Sequence, residues 1–293
     1  MTSEPISIHR LPLVYIVVLN WNGWPDTIEC LKSLEDQSYD HYDIVVVDNG
    51  STDDSVQRIR TAFPALKLLE TGKNLGFSAG NNVGIRYALS HDADFVWLLN
   101  NDTAVQRQTL AQMVDVAVAD RNVGAVGSII MDVDDSARVQ AWGGGNVRFW
   151  CGRSQNAKVP AKLDYLTAAS LLVPHSVFER VGLLDERYFL YWEDVDFSFR
   201  IRSAGYSLAV SEKSLVMHKE SSSLRKHSSL LDTYASESLI RFMLDYSPTP
   251  FFSITMALCA KLFKRLATFK LSNMLAIFCV VRHAIVRHAK GLS

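Results

Sequence analysis

Three carboxylates fall within four residues at Glu193-Asp194-Val195-Asp196, and Phe189, Tyr191, Trp192 and Phe197 surround them. Ionised carboxylates avoid apolar surroundings unless a cation pairs with them or chemistry requires them. An apolar setting raises a carboxyl pKa and makes the carboxylate a more useful base. The cluster therefore reads as a general base that takes a proton from an acceptor hydroxyl. The plainer alternative is an acidic first helical turn, favoured by the helix dipole. Arg200 and Arg202 stand where they can restrain these acids.

Two further acids close apolar runs. Asp48 follows Asp43-Ile44-Val45-Val46-Val47, and Asp102 follows Phe95-Val96-Trp97-Leu98-Leu99 after Asn100-Asn101. Ligands of open α/β sheets bind beyond the carboxyl ends of the strands. There Asp48 can accept hydrogen bonds from a ribose or a base N–H, or merely close a turn in Asp-Asn-Gly-Ser. Asp102 suits a hard cation, Mg²⁺ or Mn²⁺, shared with diphosphate oxygens. His218 ends the apolar run Leu215-Val216-Met217 and would be a second protein ligand to that metal. The segment Gly72–Asn82, with Gly76 and Gly80, precedes a helix and can offer backbone N–H groups to an anion or a base. It matches neither GxGxxG nor GxxxxGK[ST], so dinucleotide and P-loop binding are not supported. These sites together indicate a metal-assisted centre for a phosphorylated ligand.

The elements that must position them follow from periodicity. Leu13 to Asn20 is a near-continuous β-branched run, as in a strand buried on both faces of a parallel sheet. Ile44–Val47, Leu66–Leu69, Phe95–Leu99 and Val123–Ile130 continue the series, with Tyr206–Val210 and Ser214–Met217 as final strands. Helical spacing covers Asp26–Gln37, the stretch through Val56 and Ile59, Ile85–Leu89, Thr109–Ala119, Ser176–Val181 and Glu193–Ser203. Alternation with short connections predicts a three-layer α/β/α sandwich. Asp132–Lys162 carries Gly143-Gly144-Gly145 and little periodicity, and reads as a loop or irregular hairpin. With Trp142 and Phe149 it is a candidate acceptor site or lid.

Composition sets the remaining bounds. Of 293 residues, 48% are hydrophobic and 21% charged, a globular balance able to bury a large core. From Phe251 onward there are seven Lys or Arg and no acid, so the first 250 residues hold 23 basic and 31 acidic groups. An acidic body argues against a nucleic-acid partner. Apolar residues interleave with the tail cations, as in amphipathic helices that lie on anionic membranes. The alternative is packing on the domain or on a second protomer, a homo-oligomer through the tail. No run reaches the roughly 18–20 apolar residues of a spanning helix, and the first apolar run reads as a strand rather than a leader. Cys30, Cys151, Cys259 and Cys279 are widely spaced, which fits free thiols in a reducing cytoplasm. The expected location is cytoplasmic, peripheral on the inner face of the membrane.

The ordered motifs resemble those of family 2 glycosyltransferases: Val17-Val18-Leu19-Asn20-Trp21-Asn22-Gly23, Val46-Val47-Asp48-Asn49-Gly50-Ser51-Thr52-Asp53, Asn74 through Asn82, and Leu98-Leu99-Asn100-Asn101-Asp102. The later Gly182 through Phe197, then Arg200 and Ala204-Gly205-Tyr206, is similar to the branch containing many bacterial rhamnosyltransferases. The resemblance spans about residues 13 to 223. It implies a GT-A fold with a mostly parallel central sheet over residues 1–250, and a basic amphipathic extension over 251–293. It implies inverting, metal-dependent transfer of a sugar from a nucleoside diphosphate donor. On this match Asp48 binds the nucleoside with Asn20 beside it, and Gly76, Asn81, Asn82 and Asn101 complete the donor side. Asp102 corresponds to the last acid of the metal motif, and His218, followed by Ser221 and Ser223, to the late metal-ligand histidine. Asp194 corresponds to the acceptor-activating base, with Glu193 next to it. The first acid of the metal motif is Asn100 here, one carboxylate fewer for the Mg²⁺ or Mn²⁺. The expected reaction moves L-rhamnose from a dTDP donor to a lipid-linked cell-surface glycan. A UDP-hexose or UDP-N-acetylhexosamine transferase is the enzymatic alternative. A non-catalytic nucleotide-sugar binding module, which has no need of Asp194, is the alternative of another class.

Overall fold

The computed structural model describes residues 10–219 and 228–267. Ser221, Ser223 and the tail cations from Lys270 onward lie outside the described residues. The first half alternates strand and helix: β1 (Val14–Asn20), α1 (Trp24–Leu34), β2 (Tyr42–Asp48), α2 (Ser55–Ala62), β3 (Lys67–Glu70), α3 (Gly76–Leu89), β4 (Phe95–Asn100), β5 (Thr103–Val105), α4 (Thr109–Ala119) and β6 (Val123–Asp132). The second half supplies β7 (Val139–Trp142), β8 (Gly144–Arg148), a 3₁₀ turn (Phe149–Cys151), β9 (Arg153–Asn156), β10 (Tyr165–Leu166), β11 (Ser170–Pro174), α5 (His175–Val181), α6 (Glu193–Ser203), β12 (Ser207–His218), α7 (Ser228–Tyr246) and α8 (Pro250–Ala267).

One twelve-stranded sheet runs β10-β8-β7-β6-β11-β4-β1-β2-β3, with β12 alongside β6 and β5, and β9 alongside β8. Side chains alternate across it, as strand geometry requires. Ile16 and Val18 of β1 pack with Leu31, Ile59 and Met113 from α1, α2 and α4. Tyr15 and Val17 pack on the opposite face with Ile85, Phe178 and Phe197 from α3, α5 and α6. This is the expected sandwich, and it explains why β1 is apolar from Val14 to Leu19.

The parallel strands of the sheet are joined by antiparallel ones. Strands β3, β2, β1 and β4 are parallel, but β11 runs antiparallel between β4 and β6. Hydrophobic periodicity carries no sign of strand direction, so the reversal was not legible. The segment read as a loop after Asp132 forms three strands that extend the sheet by antiparallel pairing. The two final strands are one, β12, interrupted by a bulge between Ser211 and Leu215. Helix α3 begins at Gly76, well before the expected Ile85. Helix α7 was not foreseen; its Phe242 and Met243 form a third core with Tyr188, Trp192 and Val195, joined by Ala257 and Leu258 of α8.

Candidate active site

Asn20 and Asp48 are register partners at the ends of β1 and β2. Both are buried, and Asn20 Nδ2 donates to Asp48 Oδ1 at 2.8 Å. Ser51 adds its N–H to Asp48 Oδ2 at 2.9 Å and its hydroxyl to Oδ1 at 2.6 Å. Asn20 Oδ1 accepts from Thr27, which in turn accepts from Asn101 Nδ2 at 2.9 Å. A single polar chain therefore links Asp48 to the segment that carries Asp102. Asn49 clips the following loop through Leu75 N–H, Gly76 O and Asn74. Gly76 sits at φ +84°, where a Cβ would lie 2.5 Å from the Phe189 carbonyl oxygen. Phe77 N–H donates to that same oxygen at 2.7 Å. The loop before α3 is thus stitched to the chain entering the acidic cluster.

Strands β5 and β12 bring Asp102 and His218 together: His218 pairs with Thr103, next to Asp102. Nε2 of His218 lies 3.2 Å from Asp102 Oδ1. On the far side Nδ1 meets Gln140 Oε1 at 2.8 Å, while Gln140 Nε2 donates to the His218 carbonyl at 3.0 Å. The carboxamide is fixed by its second bond, so Nδ1 carries a proton and Nε2 is the nitrogen turned towards Asp102. A carbonyl behind a histidine that faces a carboxylate is the arrangement that orients metal-ligating imidazoles. The pair fits a divalent cation in ligand chemistry. Among the described residues no three His, Cys, Asp or Glu converge as a metal cluster, so further donors must come from elsewhere.

The acidic cluster is held in a costly backbone. Tyr191 and Trp192, at φ +68° and +69°, are consecutive left-handed residues immediately before Glu193. Such conformations cost on the order of 1–3 kcal/mol each for non-glycine residues and persist only when packing fixes them. Trp192 is fixed against Phe242, ring centroids 4.8 Å apart. The three acids then diverge. Asp196 is an anchor, accepting from Tyr246 Oη and Arg200 Nε, each at 2.8 Å. Arg200 is the restraining partner foreseen; Arg202 pairs instead with Asp164. Glu193 is 6% exposed and its Oε2 has no hydrogen-bond partner. Burial pushes its carboxyl well above the usual carboxylate range, and the Asp194 charge adds to this. Asp194 is also raised by burial, to about 6, while N–H groups of Ala168 and Val195 pull it back. Hydrogen bonds to the charged form favour that form. Asp194 is therefore the member of the pair better held as the carboxylate, and Glu193 the one that burial drives towards its protonated form.

The bond from Ala168 N–H to Asp194 Oδ2, 3.3 Å, also fixes position. Its neighbour Ala169 accepts from Asn100 N–H at 3.1 Å, at the end of β4. Asp194 is thereby tied to the C-terminal end of β4, next in the sheet to β1. A cavity of about 690 Å³ opens on its outer side, with Arg153, Tyr165, Glu193, Asp194, Lys261 and Arg265 among its walls. Neither Asp48 nor Asp102 lines it. Other candidates take structural positions. Asn81 lies within α3 and donates to Phe77 O. Asn82 pins the Leu184 backbone and Glu186. Phe149 packs in the third core, and Trp142 lines a separate cavity of about 540 Å³ with Arg202 and Tyr206. Gln140, Ala168 and Lys261 escaped the sequence reading. Gln140 stood in the segment without periodicity, Ala168 acts through its backbone, and Lys261 was one basic residue among seven.

A carboxylate of raised basicity that lines a cavity and is tied to the end of β4 has the chemistry to take a proton from a hydroxyl. Known proteins agree. The chain is 30% identical over 257 residues to the N-acetylglucosaminyl-diphospho-decaprenol L-rhamnosyltransferase of Mycobacterium tuberculosis, covering 78% of this chain and 83% of that one. It is 25% identical to the rhamnosyltransferase WbbL of Escherichia coli over 67% of this chain and 79% of the relative. The mannosyltransferase PcManGT of Pyrobaculum calidifontis, solved with GDP-Man and Mn²⁺, has a TM-score of 0.61 at 18% identity, covering 97% and 79% of the two chains. That likeness identifies the GT-A fold. Residues 15–164 match the model of glycosyl transferase family 2, and the chain belongs to that family of glycosyltransferases.

Proposed function

We propose that this glycosyltransferase moves L-rhamnose from dTDP-rhamnose to a hydroxyl of a lipid-linked cell-surface glycan, with inversion. The observation that carries the proposal is the Asp194 carboxylate, raised to about 6, seated by Ala168 at the end of β4 and open to the cavity. In the proposed reaction the acceptor hydroxyl enters from the cavity and gives its proton to Asp194 as its oxygen attacks the anomeric carbon. The nucleoside diphosphate departs on the opposite side, towards Asp48 and Asp102, so one displacement inverts the centre and no sugar–enzyme bond forms. Glu193, neutral, donates a hydrogen bond into the same cavity. Asp102 and His218 would hold Mg²⁺ or Mn²⁺, which when bound offsets charge on the leaving diphosphate.

The rhamnose assignment follows the activities for which the Mycobacterium tuberculosis and Escherichia coli relatives are named. The lipid-linked acceptor follows the first of these. Peripheral membrane contact is supported by α8, whose Phe251, Phe252, Phe263 and Leu266 are exposed, with Trp150 exposed nearby on the 3₁₀ turn that packs against this helix. Among the described residues no helix is long and apolar enough to cross a membrane. The test is transfer by the purified chain to N-acetylglucosaminyl-diphospho-geraniol from dTDP-rhamnose, UDP-glucose and UDP-N-acetylglucosamine, with product configuration read by NMR. Inverted rhamnosyl product is expected. Transfer from a UDP sugar alone would reject the donor, and a retained configuration would reject the mechanism.

A further inference from the structure

We infer that Lys261 and Arg265 of α8, with Arg153 of β9 opposite, form a diphosphate subsite for the acceptor's lipid linkage in the cavity that holds Asp194. The inference rests on the proposed lipid-linked acceptor and deepens it.

Helices α7 and α8 pack so that two positions one turn apart on each helix meet. Arg265 Nη2 donates to Asp232 Oδ1 at 2.6 Å, and Lys261 Nζ donates to the Ser236 hydroxyl at 3.0 Å. The first contact neutralises its cation. The second does not, and among the described residues Lys261 makes no ion pair. Burial lowers the Lys261 ammonium to about 8, so a cation is kept where it is poorly solvated. Lys261 and Arg265 line the same 690 Å³ cavity as Arg153, Glu193 and Asp194. Three cations, Arg153, Lys261 and Arg265, share the cavity with Asp194, Asp232 and Glu193, whose burial favours its protonated form. A dianionic group satisfies such a site through charge-assisted hydrogen bonds. Glu193 Oε2, buried without a hydrogen-bond partner on the opposite wall, is placed to meet a sugar hydroxyl. Base, sugar contact and cations thus share one cavity, the set of groups that suits an acceptor sugar whose hydroxyl reacts and whose anomeric carbon carries a diphosphate. The same helix that supplies Lys261 and Arg265 also exposes Phe251, Phe252, Phe263 and Leu266, apolar surface for a prenyl chain.

The test uses the full chain and three probes in EDTA, so that no metal assists: geranyl diphosphate, geraniol and UDP. Geranyl diphosphate should bind more tightly than geraniol. Lys261→Gln should weaken geranyl diphosphate by about 10- to 100-fold, Lys261→Arg should restore it, and UDP affinity should stay unchanged. Equal binding of geranyl diphosphate by wild type and Lys261→Gln overturns the subsite, as does a parallel loss of UDP binding, which would assign these cations to the donor. In transfer assays, Lys261→Gln should raise KM for the diphosphate-linked acceptor and leave KM for dTDP-rhamnose unchanged. Lys261-dependent geranyl diphosphate binding without transfer to any lipid-linked acceptor would support the subsite and sink the proposed reaction instead.

Discussion

Replacing either member of the acid pair should separate their roles. Asp194→Asn removes the base, and Glu193→Gln replaces a neutral acid by a neutral amide of the same shape. With Asp194 at about 6, roughly 90% of the enzyme carries the reactive carboxylate at pH 7 and roughly 10% at pH 5, so kcat/KM should fall about tenfold per unit below pH 6. Asp194→Asn should lower kcat by about 10²- to 10⁴-fold, and Glu193→Gln by no more than about tenfold with the acidic limb still near 6. Stability should move the other way. A carboxyl raised from 3.8 to about 6 on folding destabilises the native state by about 3 kcal/mol above pH 6 and by nothing below its unfolded pKa. Asn removes that burden but accepts only one of the two backbone hydrogen bonds, leaving a net gain of about 1–2 kcal/mol. At pH 8 this is a rise of roughly 2–3 °C in Tm, vanishing as the pH approaches 4. Transfer kinetics against pH and thermal melts at pH 4 and 8 check both signs. An inactive Glu193→Gln beside an active Asp194→Asn, or an Asp194→Asn that melts lower at pH 8, refutes the assignment of charge within the pair.

Three other outcomes follow from named contacts. Gln140→Leu removes the acceptor behind His218 Nδ1 and should weaken Mn²⁺ affinity about 10- to 100-fold, measured by titration calorimetry in the presence of a nucleoside diphosphate; an unchanged affinity would separate His218 from the metal. Gly76→Ala places a methyl at φ +84° against the Phe189 carbonyl, so Tm should fall by an amount worth on the order of 1–3 kcal/mol, with loss of kcat as the acidic cluster shifts. Phe251→Asp with Phe263→Asp should reduce co-sedimentation with anionic liposomes while leaving donor hydrolysis intact, since both side chains are exposed; undiminished sedimentation would remove α8 from the membrane contact.

Much of this protein is written locally. The β-branched runs of β1, β2 and β4 declare buried strands because both faces are covered, and the acids that end them stand out against apolar neighbours. The order of the motifs, from Asn20 through Asp48 to Asp102 and Asp194, carries the family. Chain order alone could not give strand direction: β11 enters antiparallel between β4 and β6, a fact of long-range pairing with no trace in its apolar period. Nor could it tell the three clustered acids apart. Asp196 became an anchor because Tyr246 and Arg200 reach it, Asp194 is favoured as a carboxylate because Ala168 and Val195 donate to it, and Glu193 is pushed towards its protonated form because it is buried and, among the described residues, its Oε2 has no hydrogen-bond partner. Residue types and spacing determined which groups were available for chemistry. Burial and partners, which exist only once distant segments pack, decided the protonation state and the task of each.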